Sequence, residues 1–160
     1  MMRRREREVH DHGRLLDVLN RCDCLRLAIA DEEAPYVVPV NFGWEEVRGE
    51  LRLFFHGACE GRKLELLGRH PRVGFELDCA HRLVTGEPAC RYSFLYASII
   101  GVGMVRFAAS DEEKRHGLRL IMAHYAPGQD FVFPEAALSR VCVGCVQVER
   151  VSCKEHGEVR

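Results

Sequence analysis

Residues 53–78, LFFHGACEGRKLELLGRHPRVGFELD, hold the pattern on which the fold turns. The apolar run Leu53, Phe54, Phe55 ends at His56, and the small residues Gly57 and Ala58 follow. The spacing predicts a helix from near Cys59 to Arg69 carrying Leu64, Leu66 and Leu67, with Pro71 marking its end. "RVGFELD" (72–78) then reads as a strand. The helix breaks a rule. Basic side chains favour helix C-termini, where the macrodipole is negative. Here Arg62 and Lys63 fall in the first turn. Two readings are open. Either the two cations pair with Glu60 and Glu65 on a solvated face, or the strand end, the unpaired N–H groups and the cations together hold an anion. A phosphate monoester takes all of them: backbone donors, an Arg fork and a Lys point charge.

On the N-terminal side, Asp11 or His12 caps a first helix carrying Leu15, Leu16, Val18 and Leu19. "CLRLAIA" (24–30), "YVVPVNFGW" (36–44) and "ELRLFFH" (50–56) read as a meander of three strands, with Pro39 marking an edge or a bulge. On the C-terminal side, "HRLVTGEPACRYS" (81–93) reads as a strand and a loop. "ASIIGVGMVRFAA" (97–109) is a long strand with Gly101 and Gly103 at bulges or close approaches. "SDEEKRHGLRLIMAHYA" (110–126) is a helix capped by Ser110 or Asp111, with Glu112 and Glu113 in its first turn. "FPEAALSR" (133–140) is a short helix and "VCVGCVQVERV" (141–151) the last strand. Many short strands with Gly-bearing turns imply a mainly β fold, a closed or partly closed antiparallel barrel with peripheral helices. One domain over 1–160 is expected, with residues 1–8 as an N-terminal arm and 152–160 as a C-terminal tail.

Composition narrows the function. The 160 residues are 47% apolar, enough for a core, and the net charge of -1 leaves no bulk basic surface for nucleic acid or an acidic membrane. No apolar run nears the roughly 20 residues a membrane helix needs. No leader is read either, so a cytoplasmic location with eight reduced cysteines is the expectation. Cys22, Cys24, Cys142 and Cys145 have zinc-like spacing, but both pairs fall in apparent strands, where residues three apart face opposite ways. They are read as core residues, and no metal is expected.

The blocks "YVVPVNFGW", "LFFHGACEGRKLELLGRHPRVGFELD" and "YASIIGVGMVRF" resemble the flavin-binding split-barrel proteins related to pyridoxamine 5′-phosphate oxidase. Within them the chain is most similar to the nitroimidazole-resistance branch, from about Met2 to Val151. The resemblance implies a six-stranded, Greek-key-like split barrel that forms a homodimer with FMN at the interface. It implies phosphate contacts from Gly61, Arg62 and Lys63, and flavin-edge contacts from Val38, Pro39, Val40 and Asn41. It places His56 beside the ring as a catalytic residue, and brings Ser98, Ile99 and Ile100 in from the long strand of one subunit or the other. Two departures stand out. Relatives often have Arg where this chain has Ala97, and the substrate-binding C-terminal motif of true pyridoxamine phosphate oxidases has no match.

Two functional classes follow from the resemblance. One is an FMN-dependent oxidoreductase that takes electrons from a small donor and passes them to an electron-poor acceptor such as a nitroaromatic. The other is a non-enzymatic FMN-binding or sensing module. A haem or deazaflavin in the same cleft is the remaining alternative, with His56 as a possible axial ligand.

Overall fold

The computed structural model describes residues 4–157. A short 3-10 helix (Arg5–Arg7) leads into β1 (Glu8–Val9) and α1 (His12–Arg21). β2 (Leu25–Ile29), β3 (Tyr36–Val40), β4 (Phe42–Val47) and β5 (Glu50–Ala58) precede α2 (Arg62–Arg69). Then come β6 (Arg72–Val84), β7 (Ser93–Phe107), α3 (Asp111–Tyr125), α4 (Glu135–Leu138) and β8 (Val141–His156).

All strand pairs are antiparallel, in the order β3-β2-β6-β7-β8-β5-β4, with β1 also on β8. The period-two pattern explains why these segments are strands. Leu25, Leu27 and Ile29 of β2 and Val73, Phe75, Leu77 and Cys79 of β6 are buried, and the residues between them are not. Their buried faces meet Phe42, Leu53, Phe55, Ile99 and Val146 in one core, closed below by Leu15, Val18 and Leu19 of α1. A second small cluster, Phe54, Cys145 and Ile121, lies under α3 on the other face of β5 and β8.

The expected mainly β barrel is present, with differences in the count and the ends. Among the described residues the sheet has eight strands where six were expected. One addition is β1, which takes Glu8 out of the expected arm and pairs it with Lys154. The other comes from the 36–44 run, which is two strands and not one. β3 and β4 lie at the two ends of the strand order, yet only Asn41 separates them in the chain. Two Cα steps of about 3.8 Å therefore bring the two ends of the sheet together. No ladder joins β3 to β4, so the sheet is rolled into a barrel but split along that seam. Pro39 sits on the edge strand, where a residue without an N–H is tolerated.

The expected 152–160 tail is strand as far as His156: Ser152–His156 completes β8 and pairs with β7, while residues 158–160 of that tail and 1–3 of the expected arm lie outside the described residues. The 81–93 segment divides between β6, an irregular turn and the start of β7. The β7–β8 register shifts between Val102 and Gly103, one of the two positions expected to bulge.

Candidate functional site

α2 begins at Arg62, so Arg62 and Lys63 are its first two residues. Gly61 precedes them at φ +111°, a backbone conformation that L side chains rarely adopt. Among the described residues no side chain caps the helix. The Gly61 carbonyl accepts from the N–H groups of Leu64 and Glu65. Among the described residues nothing accepts from the N–H groups of Arg62 and Lys63. The helix forms because Leu66 and Leu67 bury against the core, not because its start is favourable.

Neither cation pairs with Glu60 or Glu65. Arg62 forms an ion pair with Asp31, and its guanidinium lies 5.3 Å from the centre of the Tyr36 ring. Arg62, hydrogen-bonded to Asp31, holds that carboxyl below the usual range. Lys63 has no carboxylate partner among the described residues. Its ammonium rests 5.4 Å from the centre of the Phe55 ring and 3.4 Å from the His56 carbonyl oxygen, to which it donates. Desolvation pulls its pKa below the ordinary lysine value. A Cβ at position 57 would stand 2.6 Å from Lys63 Nζ, so Gly57 leaves the space in which the ammonium sits. A partly buried cation beside two free N–H groups is a fit for a phosphate or another anion.

His56 is differently placed. Side chains alternate along β5, and Phe54 and His56 face one way while Phe55 and Gly57 face the other. Lys63 lies on the Phe55 and Gly57 side, so it meets the backbone of His56 and not its imidazole. Desolvation first, and the Lys63 charge second, lower the His56 pKa. The residue is nevertheless exposed by area, so a shift driven by burial is a modest one here.

The strand expected along a flavin runs beside this site through Tyr36, but its residues divide. Val38 and Val40 pair with Leu27 and Leu25 and turn toward the core; Pro39 pairs with Arg26 and turns outward. Asn41 is exposed at the seam. Because β3 is an edge strand, one side of its backbone is open to a ligand.

Ser98, Ile99 and Ile100 are elsewhere. Two strands, β2 and β6, separate β7 from β3, a gap of roughly 14 Å at ordinary strand spacing. Ile99 is fully buried, so only Ser98 and Ile100 can present side chains outward. Ala97 is also fully buried, so position 97 faces the core of its own chain.

Asp31 and Tyr36 were not among the residues expected at the site, and neither was the end of α3. Tyr125 Oη accepts from the Phe42 N–H at 3.1 Å and donates to the Asp23 carbonyl at 2.8 Å. No local pattern signals these contacts, because the partners lie far apart in the chain.

A separate cleft of about 280 Å³ opens on the α3 side of β5, between Arg52, Phe54, Arg106, Glu113 and His116. Its charges pair with one another: Glu45 with Arg52 and His116, and Arg106 with Glu113. Burial pushes the Cys145 thiol in its wall up to about 11, which makes it a poor nucleophile. Among the described residues no group of three or more His, Cys, Asp or Glu is placed to hold a metal ion. None of their helices is long and apolar enough to cross a membrane.

A rolled antiparallel sheet split along one seam is a split-barrel architecture, and known proteins share it. Residues 11–155 match the family model described as pyridoxamine 5′-phosphate oxidase. A protein from Bacteroides thetaiotaomicron, assigned as a 5-nitroimidazole antibiotic resistance protein, is 34% identical. That match covers 92% of this chain and 86% of the other, with a TM-score of 0.81. The chain therefore belongs to the pyridoxamine 5′-phosphate oxidase family. Two more distant structures share the fold at 19% identity. The flavocytochrome Anf3 of Azotobacter vinelandii has a TM-score of 0.82, covering 99% of this chain and 73% of that one. The FAD and haem binding protein of Mycobacterium smegmatis has 0.80, covering 96% and 76%. No curated protein matches the chain.

Proposed function

We propose that the chain binds FMN and serves as a flavin-dependent oxidoreductase that reduces a small electron-poor acceptor such as a nitroaromatic. The observation that carries this reading is Lys63: a partly buried ammonium that, among the described residues, has no carboxylate, at a helix start whose N–H groups have no acceptor there. In this reading Gly61, Arg62 and Lys63 hold the phosphate, and Asp31 and Tyr36 fix the Arg62 fork. The open edge of β3, Val38 to Val40, and the Asn41 side chain meet the polar edge of the ring. When bound, the flavin supplies hydride and electron transfer, and the protein supplies binding, orientation and electrostatics.

A homodimer completes the site. Ser98 and Ile100 are too far from β3 to serve the same flavin from the same chain and are assigned to the partner's flavin, whereas Ile99, buried in its own core, is left out. The outer face of β3 to β7 suits an interface, because Val37 is 58% and Ile100 57% exposed there. His56 is proposed as the proton donor to the acceptor. Its ring stands across β5 from Lys63, so the acceptor would lie against the exposed strand end and not over the phosphate. The 34% identical nitroimidazole-resistance relative supports this acceptor class. The FAD and haem binding relative supports a broader cofactor range for the fold.

The experiment is the visible spectrum of the purified protein before and after FMN loading and desalting. Retained bands near about 375 and 450 nm mark a bound flavin. Bleaching by a nicotinamide donor and recovery on adding a nitro compound support the reductase. A loaded protein that does neither is a carrier or sensor. Retention of FAD in preference to FMN, or a Soret band on adding haem, overturns the cofactor assignment.

A further inference from the structure

We propose that Tyr125 is a positioning residue for the flavin strand, acting through Phe42 on Asn41; the inference rests on the flavin reading above. The seam at Asn41 is where the chain leaves one end of the sheet and enters the other. On its β3 side Val40 is held by pairing with Leu25. On its β4 side Phe42 lies opposite Phe55 in the β4–β5 ladder, and its N–H donates to Tyr125 Oη at 3.1 Å. A helix side chain therefore holds that peptide from outside the ladder.

The hold is anchored at its other end. Tyr125 Oη donates to the Asp23 carbonyl at 2.8 Å, and His124 Nε2 lies 2.8 Å from the Cys22 carbonyl. The His124 ring packs on Phe42 with centroids 4.4 Å apart. One residue on, a Cβ at Gly43 would fall on the backbone of Leu120 and Ile121, so α3 rides directly on the strand. The last turn of α3 thus ties the joint between α1 and β2 to the first residue after Asn41. Asn41 has no partner of its own among the described side-chain hydrogen bonds, so its placement depends on these two anchored neighbours. A ligand read by Asn41 and the β3 backbone feels any slack at Phe42.

The test is Tyr125→Phe, which keeps the ring and removes the hydroxyl that joins Phe42 to Asp23. The expected result is roughly tenfold weaker FMN binding, about 1.4 kcal/mol. A shift in the visible bands and reduction potential of the bound flavin accompanies it. In a double-mutant cycle Asn41→Ala then adds little further loss, because both changes act on one contact. His124→Phe keeps the packing on Phe42 and loses the bond to Cys22; it weakens binding in the same direction by less, and serves if Tyr125→Phe does not fold. Wild-type FMN affinity and spectrum in the folded variant overturn the proposal, as do additive losses in the cycle. A wild-type protein that retains no FMN overturns the flavin reading as well, which separates the two failures.

Discussion

α2 and α3 begin in opposite ways. α3 is capped by Ser110, whose hydroxyl accepts from the Glu113 N–H at 3.2 Å, and its first turn holds Asp111, Glu112 and Glu113. Glu113 also accepts from the Ala109 N–H and pairs with Arg106, which together hold its carboxyl below the usual range. Such a helix start is complete in itself, with anions at the positive end of the dipole. α2 starts on a glycine, with no cap, two cations and free N–H groups. The contrast teaches that the same chain follows the rule where only stability is at stake. It breaks the rule at the helix start where the phosphate is proposed to bind.

The largest expected effect comes from removing the odd feature. Arg62→Ala with Lys63→Ala should weaken FMN binding by about 100-fold or more, since each charge-assisted contact contributes about 1.5–3 kcal/mol. The melting temperature without ligand should barely move, because Leu66 and Leu67 still dock α2. Inorganic phosphate should raise the melting temperature of the wild type and not of this variant. Equal affinity in both proteins would make the α2 start an ordinary surface.

Gly57→Ala sharpens the contrast without touching either charge. The new methyl meets the far end of Lys63, so the fold should survive while the ammonium is displaced. About tenfold weaker FMN binding is expected, corresponding to about 1.4 kcal/mol. Titration by flavin fluorescence checks it.

Ser110→Ala breaks the conventional start. It should cost about 1 kcal/mol of stability in denaturant titration and leave FMN affinity unchanged. A loss of affinity here would show that α3 as a whole, and not only its last turn, supports the site.

The smallest effect is a pH dependence. The His56 pKa is lowered in the folded state, so the unfolded chain takes up its proton first as pH falls. This group therefore contributes a stability loss on going below about 6.5, the ordinary histidine value, and none above it. His56→Gln should flatten the melting temperature between pH 7 and 5 slightly. An unchanged slope would assign that dependence to other histidines.

Much of the fold was legible in the sequence because it is local. The alternation in β2, β5 and β6, the capped α3 and the edge position of Pro39 depend on near neighbours. The uncapped cationic start of α2 was legible for the same reason: Gly61, Arg62 and Lys63 are consecutive. The break at Asn41 was not, since "YVVPVNFGW" is a continuous β-rich run and only the rolled sheet divides it. Asp31, Tyr36 and Tyr125 reach the site from distant segments, and no spacing announces them. The facing of His56 lay in between. Its alternation with Phe55 was readable, but the side on which Lys63 folds back was not.

β8 has a consequence for how the protein is made. It pairs with β7, β5 and β1, and its partners in β5 lie about 90 residues earlier in the chain. During synthesis β5 and β7 must wait with bare edges until the segment Val141–His156 has emerged. Long-range pairing of this kind slows folding, and waiting edges invite pairing with other chains. The hairpins β2–β3 and β4–β5 can form on the ribosome as they appear; the rolled sheet cannot. A nascent chain stalled before Val141 should therefore be a target for chaperones, and one released with β8 complete should not.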